Sequence, residues 1–411
     1  MSGVPADWNQ EDSMPHFKHL IVGAGMTGDA AVKGIREVDP SGSIGLVGDE
    51  PARPYDRPPL SKALWKGAPL ESIWRTTEAR GVELLLGRRI VSLDATARRA
   101  TDDRGVDYTF DKLLLATGGA PRRLPFGGDH IVYFRTVADY RRLRSLAERG
   151  RQFAVIGGGF IGAEIAAGLA INAKEVTVAF PEEALGSRVF PRELGLSLNR
   201  YYEEKGVRIL AKHGVVGVTP RGEGLAVEVR PIDGGAAHEV LVDGVVAGIG
   251  IQPNVELARA AGLEVDDGIL VDELLRTSHL DIFAAGDVAS FLSPALGMRV
   301  RVEHEDNANS MGRAAGRAMA GAAEPYHHLP FFYSDLFELG YEAVGQVDAR
   351  LEVVADWRTP NREGVVYYLQ DGRVRGVLLW NVWEQVDAAR RLISEPGPFR
   401  AVNLKGRLPA P

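Results

Sequence analysis

The spacing G-x-G-x-x-G occurs twice in this chain, each time between an apolar run and a helical pattern. In HLIVGAGMTGDAAVKGI (residues 19–35) an apolar strand passes through Gly23, Gly25 and Gly28 into a helix. A second strand, IGLVGDE (44–50), then closes on Asp49 and Glu50. This strand–turn–helix–strand order is the context that turns a glycine spacing into a dinucleotide cradle. The first glycine permits the tight turn. The second lets a pyrophosphate approach the backbone at the positive helix end, and the third lets helix and strand pack closely. The pattern returns in QFAVIGGGFIGAE (152–164), with Gly157, Gly159 and Gly162, before the strand EVTVAF (175–180) and Pro181, Glu182 and Glu183. A single match is also met in ordinary glycine-rich turns; two in the right context argue for two nucleotide sites.

Two such sites in one chain suggest FAD together with NAD(P)H. LLLATGG (113–119) ends a buried strand just before the second unit, and IFAAGDVA (282–289) ends another after it. Both can return the chain to the first sheet, so the first domain is expected to be discontinuous with the second inserted. Asp287, at a strand end beside a helix start, suits the hydroxyls of a flavin ribitol chain, and equally suits a helix N-cap. The chain has no cysteine, so thiolate nucleophiles, disulfides and a Cys-x-x-Cys relay are excluded, and a bound organic cofactor has to carry the electrons. No metal site is expected: His327 and His328 are adjacent and share no helix face. The net charge of −7 argues against nucleic acid. No apolar run reaches the roughly 18 residues of a membrane span. Residues 1–16 read as a flexible tail without an apolar signal core, and a cytoplasmic location is expected.

The stretch RPYDRPPLSK (53–62) poses a separate question. Three prolines stiffen it and withhold amide donors, and it delivers Ser61 and Lys62 to the start of an amphipathic run, ALWK. On local grounds Lys62 is equally an exposed lysine at a helix start. Beyond Tyr326 aromatic, alternating runs take over, with Asp371-Gly372 as a hairpin turn between two of them and a short helix after Glu384. These read as a small sheet-plus-helix unit covering the cofactor. Trp380 and Trp383 suit packing within it, or an electron path or dimer face.

Taken together, GAGMTG, GDEPARPYDRPPLSK, LATGG, IGGGFIGAE, GIGIQPN and AAGDVA resemble the FAD-dependent pyridine-nucleotide reductases. The nearest branch is the NADH:ferredoxin reductases of oxygenase systems, of the putidaredoxin reductase and biphenyl dioxygenase reductase type. FPEE (180–183), RVEHEDNA (301–308) and FYSDLFELGYEAVG (332–345) are more similar to the apoptosis-inducing-factor branch. The resemblance implies an α/β fold: two Rossmann-like, glutathione-reductase-type domains for FAD (17–124 and 249–325) and NAD (125–248), and an α+β C-terminal domain (326–411). It implies FAD contacts at Gly23, Gly25, Met26, Thr27, Gly28, Asp49, Glu50, Arg57, Lys62, Ile90, Ala116, Thr117, Gly118, Arg135, Gly286, Asp287, Glu303, His304, Ala308 and Tyr333. It implies NAD contacts at Gly157, Gly158, Gly159, Phe160, Ile161, Glu164, Glu182, Arg188, Gly250 and Glu303.

By the same resemblance Lys62 sits beside the isoalloxazine and pairs with Glu164, while Arg57 meets the FAD phosphates or ribose. The prolines then preorganise Lys62, whose charge suits negative charge developing on a reduced flavin. Phe160 is either a gate over the flavin or a core aromatic. His304 is either a cofactor neighbour or a satisfied core histidine. Glu182 favours NADH by repelling a 2′-phosphate, whereas Arg188 suits one. Tyr333 stands where the family usually has tryptophan. The expected activity is NADH-dependent reduction of a small iron–sulfur ferredoxin, with Arg299, Arg301, Arg313 and Arg317 as candidate docking cations. The competing expectation is an NADH-responsive flavoprotein with slow oxidase activity, monomeric until NADH makes it dimerise; a peroxide-forming NADH oxidase is a third.

Overall fold

The structure is a computed structural model that describes residues 14–322 and 324–408. Most of the expected tail, residues 1–13, lies outside the described residues. The first sheet runs Glu83–Leu86, Ile44–Gly48, His16–Val22, Asp107–Leu115, Arg99–Asp102 and Ile90–Asp94, and Ile282–Ala284 pairs in parallel with Asp107–Leu115. Both strands expected to return to this sheet do so. The fingerprint helix Met26–Val38 lies against the helix Glu305–Met319. Three glycines permit that approach: a Cβ on Gly34, Gly312 or Gly316 would come within 2.1, 2.4 and 2.1 Å of a carbonyl oxygen on the facing helix. The later helix is thereby locked to the first nucleotide turn.

A second sheet, all parallel where the first is mixed, runs in the order Val207–Ala211, Glu175–Phe180, Gln152–Ile156, Gly244–Ala247 and Ile131–Tyr133 and carries the helix Phe160–Ile171. Its apolar interior is the near-continuous hydrophobic run expected of strands covered on both faces. The short strands Gly119–Pro121 and Ile251–Pro253 pair antiparallel where the chain leaves the first unit and returns to it. The insertion thus has a two-stranded neck.

The last unit is an antiparallel sheet in the order Phe331–Leu336, Leu339–Gly345, Arg373–Trp380, Glu363–Gln370 and Glu352–Thr359, followed by the helix Val386–Ser394. Asp371 and Gly372 close the hairpin at φ of 53° and 72°, the two left-handed positions of a type I′ turn. Trp380 is fully buried, while Trp383 is 44% exposed. Among the described residues no helix is long and apolar enough to cross a membrane.

Candidate functional site

The two fingerprints build the site in the same way. Gly23 sits at φ +123°, and a Cβ there would lie 2.1 Å from the Ala116 carbonyl oxygen; Gly157, at φ +110°, would meet Gly248 in the same manner. The third glycines, Gly28 and Gly162, pack on the carbonyls of the first, at 2.2 and 2.0 Å from such a Cβ. Gly25 and Gly159 differ. Both have ordinary backbone angles, and a Cβ on either would meet nothing within 4 Å. Each also caps its helix without a side-chain hydrogen bond, leaving N–H donors at a positive helix end. Packing explains the first and third glycines but not the second. A bound pyrophosphate does, so these residues fit two dinucleotides.

Between the two units lies a cleft of about 740 Å³. It is bordered by Met26, Arg57, Lys62, Arg135, Gly157, Gly158, Gly159, Phe160, Ile161, Glu164, Glu182, Arg188, Gly250, Asp287, Glu303, His304 and Tyr333. The remaining predicted residues do not border it. Gly23 lies in the first glycine turn, which Gly25 ends as the helix N-cap; Thr27 and Gly28 sit in the first turn of that helix, Ala116, Thr117 and Gly118 follow the strand Asp107–Leu115, and Gly286 begins a short 3-10 turn. Ile90 and Ala308 are buried in a strand and a helix. Asp49 is exposed, 3.7 Å from Arg89, and Glu50 is turned inward: its two oxygens accept from the Tyr55 hydroxyl (2.6 Å) and the Arg57 guanidinium (2.7 Å).

The proline loop coils into two short 3-10 turns, Pro58–Leu60 and Ala63–Lys66, instead of opening a long helix. Arg57 donates to Glu50 and to the Arg135 carbonyl (3.0 Å), and Arg135 donates to Asp287 (2.7 Å), so four predicted FAD residues converge through one chain of bonds. Lys62 Nζ lies 2.9 Å from Glu164 Oε2, and that carboxylate, only 3% exposed, also accepts from Ser61 Oγ and Ser334 Oγ at 2.6 Å each. A buried carboxylate with three donors, one of them a cation, is satisfied; removing one partner would leave a costly charge. Lys62 also lies 5.3 Å from the centre of the Tyr333 ring.

At the opposite wall, His304 stacks on Phe332 with centroids 4.2 Å apart, and Phe332 meets Phe160 at 5.1 Å. Burial pulls the His304 imidazole from 6.5 down to about 4, against the upward pull of Asp287 and Asp306, so it is neutral near pH 7. Burial raises the Glu303 carboxyl although Arg301 donates to it at 2.6 Å, and burial together with Asp56 raises Glu305. The Tyr333 hydroxyl, raised first by burial and then by Glu305, lies 3.4 Å from that carboxylate. At the outer end Glu182 faces Arg188 across 3.8 Å, with the arginine side chain 90% exposed.

Sequence reasoning did not assign Phe332, Ser334 or Glu305. The period-two pleat places Phe332 and Ser334 on one face of their strand and Tyr333 on the other, a signal that was available. The four candidate docking arginines do not form a free cluster. Arg313 and Arg317 hold Glu37, Arg301 holds Asp267 and Glu303, and Arg299 donates to the carbonyls of Val271 and Ser290.

Two glycine-capped nucleotide turns, one on a mixed sheet and one on a parallel sheet, border one cleft in the manner of two-nucleotide flavin reductases. The chain belongs to the pyridine nucleotide-disulphide oxidoreductase family, whose sequence profile matches residues 17–312. Residues 315–363 and 358–395 match the profile described as apoptosis-inducing factor, mitochondrion-associated, C-term. The ferredoxin–NAD(+) reductase component of the anthranilate 1,2-dioxygenase system from Burkholderia cepacia is 37% identical over 394 residues, covering 91% of this chain and 93% of that one. Apoptosis-inducing factor 1 of Dictyostelium discoideum is 31% identical over 427 residues, covering 94% and 80%. The covalent putidaredoxin reductase–putidaredoxin complex superposes with a TM-score of 0.86 at 32% identity, covering 93% and 94%. Family membership implies FAD and NAD(P)H as the bound nucleotides. It does not bring the thiol pair of the family's description, since the chain has no cysteine.

Proposed function

We propose that this protein takes a hydride from NADH and passes the electrons one at a time to a small iron–sulfur ferredoxin. The observation that carries the reading is the Lys62–Glu164 pair at the wall shared by both nucleotide turns, in a chain with no thiol to act as a second redox centre. A relative named as a ferredoxin–NAD(+) reductase component and a structural neighbour named as a putidaredoxin reductase–putidaredoxin complex support the acceptor class. In this reading residues 17–124 and 249–325 hold FAD, 125–248 hold NADH, and 326–411 cover the cleft.

The bound flavin supplies the change from two-electron to one-electron chemistry. The protein supplies position and charge. Gly25 and Gly159 open the backbone to the two pyrophosphates. Arg57 and Arg135 would place positive charge along the FAD side, and Asp287 would accept from the ribitol. Lys62, fixed by Glu164, Ser61 and the prolines, places one cation where negative charge develops. Phe160, backed by Phe332, would shield the reacting face from water, and Glu303 would accept from the carboxamide. Glu182 selects NADH over NADPH by repulsion of a 2′-phosphate.

Anaerobic titration of the FAD-loaded protein with NADH, followed by absorbance, tests this. The 450 nm band should bleach with NADH, bleach far less readily with NADPH, and recover when an oxidised [2Fe–2S] ferredoxin is added. A spectrum indifferent to NADH would overturn the assignment. The C-terminal profile favours a second reading, an NADH-responsive flavoprotein of slow turnover. That reading requires a shift from monomer to dimer on size exclusion when NADH is added, with slow reoxidation by every ferredoxin tried.

A further inference from the structure

We propose that the Lys62–Glu164 pair is the inner end of a proton exit, which leaves the protein through a second cavity on the far side of the pair from the cleft. The proposal rests on the functional reading above. In that reaction the C4–H bond of the nicotinamide breaks and two electrons and one proton arrive together. Two one-electron acceptors remove the electrons, and the proton has to reach water once per turnover. The cleft mouth is filled by the nucleotide at that stage, so a separate route has a clear use.

The geometry supplies one. Ser61, Lys62 and Glu164 border both the cleft and a cavity of about 10 Å³ behind it, which is room for one water. The outer wall of that cavity is the Lys66–Asp335 pair, 3.3 Å apart with side chains 42% and 38% exposed, so the cavity ends at the protein surface. Its polar lining offers the two to four partners that hold a buried water. The steps balance. Lys62 Nζ gives a proton to Glu164 Oε2, 2.9 Å away, as it takes one from the cleft; Glu164 passes that proton to the water, and the water passes one to Asp335 and bulk solvent. Ser61 and Ser334 keep the carboxylate aimed between the two cavities, which accounts for three donors on a single buried acid. Ala167 lines the passage and Ile171, 46% exposed, stands at its mouth; neither touches the cleft.

The test uses the FAD-loaded full chain, NADH, ferricyanide as the one-electron acceptor, and a pH-indicator dye in weak buffer, mixed in stopped flow. Ala167→Val narrows the passage and Ile171→Trp covers its mouth. In both variants flavin bleaching by NADH should match the parent protein, while the dye signal should lag by about tenfold or more. A crystal structure of the oxidised parent protein should show a water in hydrogen-bond reach of Glu164 and Asp335, displaced in Ala167→Val. Should Ala167→Val fail to fold, Ile171→Trp at the exposed mouth carries the measurement. Proton release that keeps pace with reoxidation in the folded variants, or a dry cavity in the crystal, overturns the passage and leaves the functional reading standing. A parent protein whose flavin ignores NADH overturns both.

Discussion

Gly23 and Gly25 sit two positions apart and answer to different constraints. The first is held by the protein, at a positive φ with a carbonyl oxygen where a side chain would go; the second is held by nothing in the described residues. Gly23→Ala should therefore cost about 1–3 kcal/mol of stability through backbone strain alone, visible as a lower melting temperature. Gly25→Ala should melt like the parent without cofactor yet bind FAD about tenfold or more weakly, measured by flavin fluorescence titration. Equal loss of stability in both variants would remove the case for a pyrophosphate there. His304 adds a pH dependence. Its folded value near 4 lies below the ordinary 6.5, so between those values the unfolded chain binds the extra proton. Stability should thus be full above about pH 6.5 and decline as pH falls toward 4. Melts of His304→Gln over the same range should lose that part of the slope.

At the scale of elements, the proline loop is the part most directly readable from sequence. Pro58 and Pro59 form a short 3-10 turn and Gly67 ends the next at φ +94°, which leaves room for four residues, Ala63–Lys66, and no longer helix. The amphipathic run ALWK has the spacing of a helix start, but a single turn bounded on both sides cannot propagate. Replacing both prolines by glycine should lower the urea midpoint by the equivalent of about 1–2 kcal/mol, since each proline restricts the unfolded chain. It should also slow flavin bleaching by NADH, because Lys62 loses its fixed approach; an unchanged rate would show that the ion pair alone positions the lysine. The Asp371–Gly372 turn was legible for a similarly local reason: both positions need positive φ, and that dipeptide tolerates it.

At the scale of the whole molecule, the second nucleotide unit and the C-terminal sheet share one core. Phe190 lies edge-on against the stacked pair Tyr341 and Trp380, 5.3 Å from each. Phe190→Ala should cost about 3–5 kcal/mol. Calorimetry should show the two units shifting together; a separate early transition would mean that they melt independently. This shared core also marks the limit of the sequence. Two glycine turns and a C-terminal hairpin were legible because glycine conformation, apolar runs and turn residues act over a few positions. The pairing of Lys62 with Glu164 was reached only by resemblance, and the serines that complete it were not foreseen: Ser61 and Ser334 lie 103 and 170 positions from the carboxylate they hold. The docking arginines show the converse, since charges that look free along the chain are engaged by Glu37, Asp267 and Glu303 once it folds. By itself the sequence determined where the backbone can turn and which faces must be buried, since steric exclusion and hydrophobic period are local. Only the tertiary structure decided which buried charge meets which donor and what opens behind it, because those contacts exist only when distant segments are brought together.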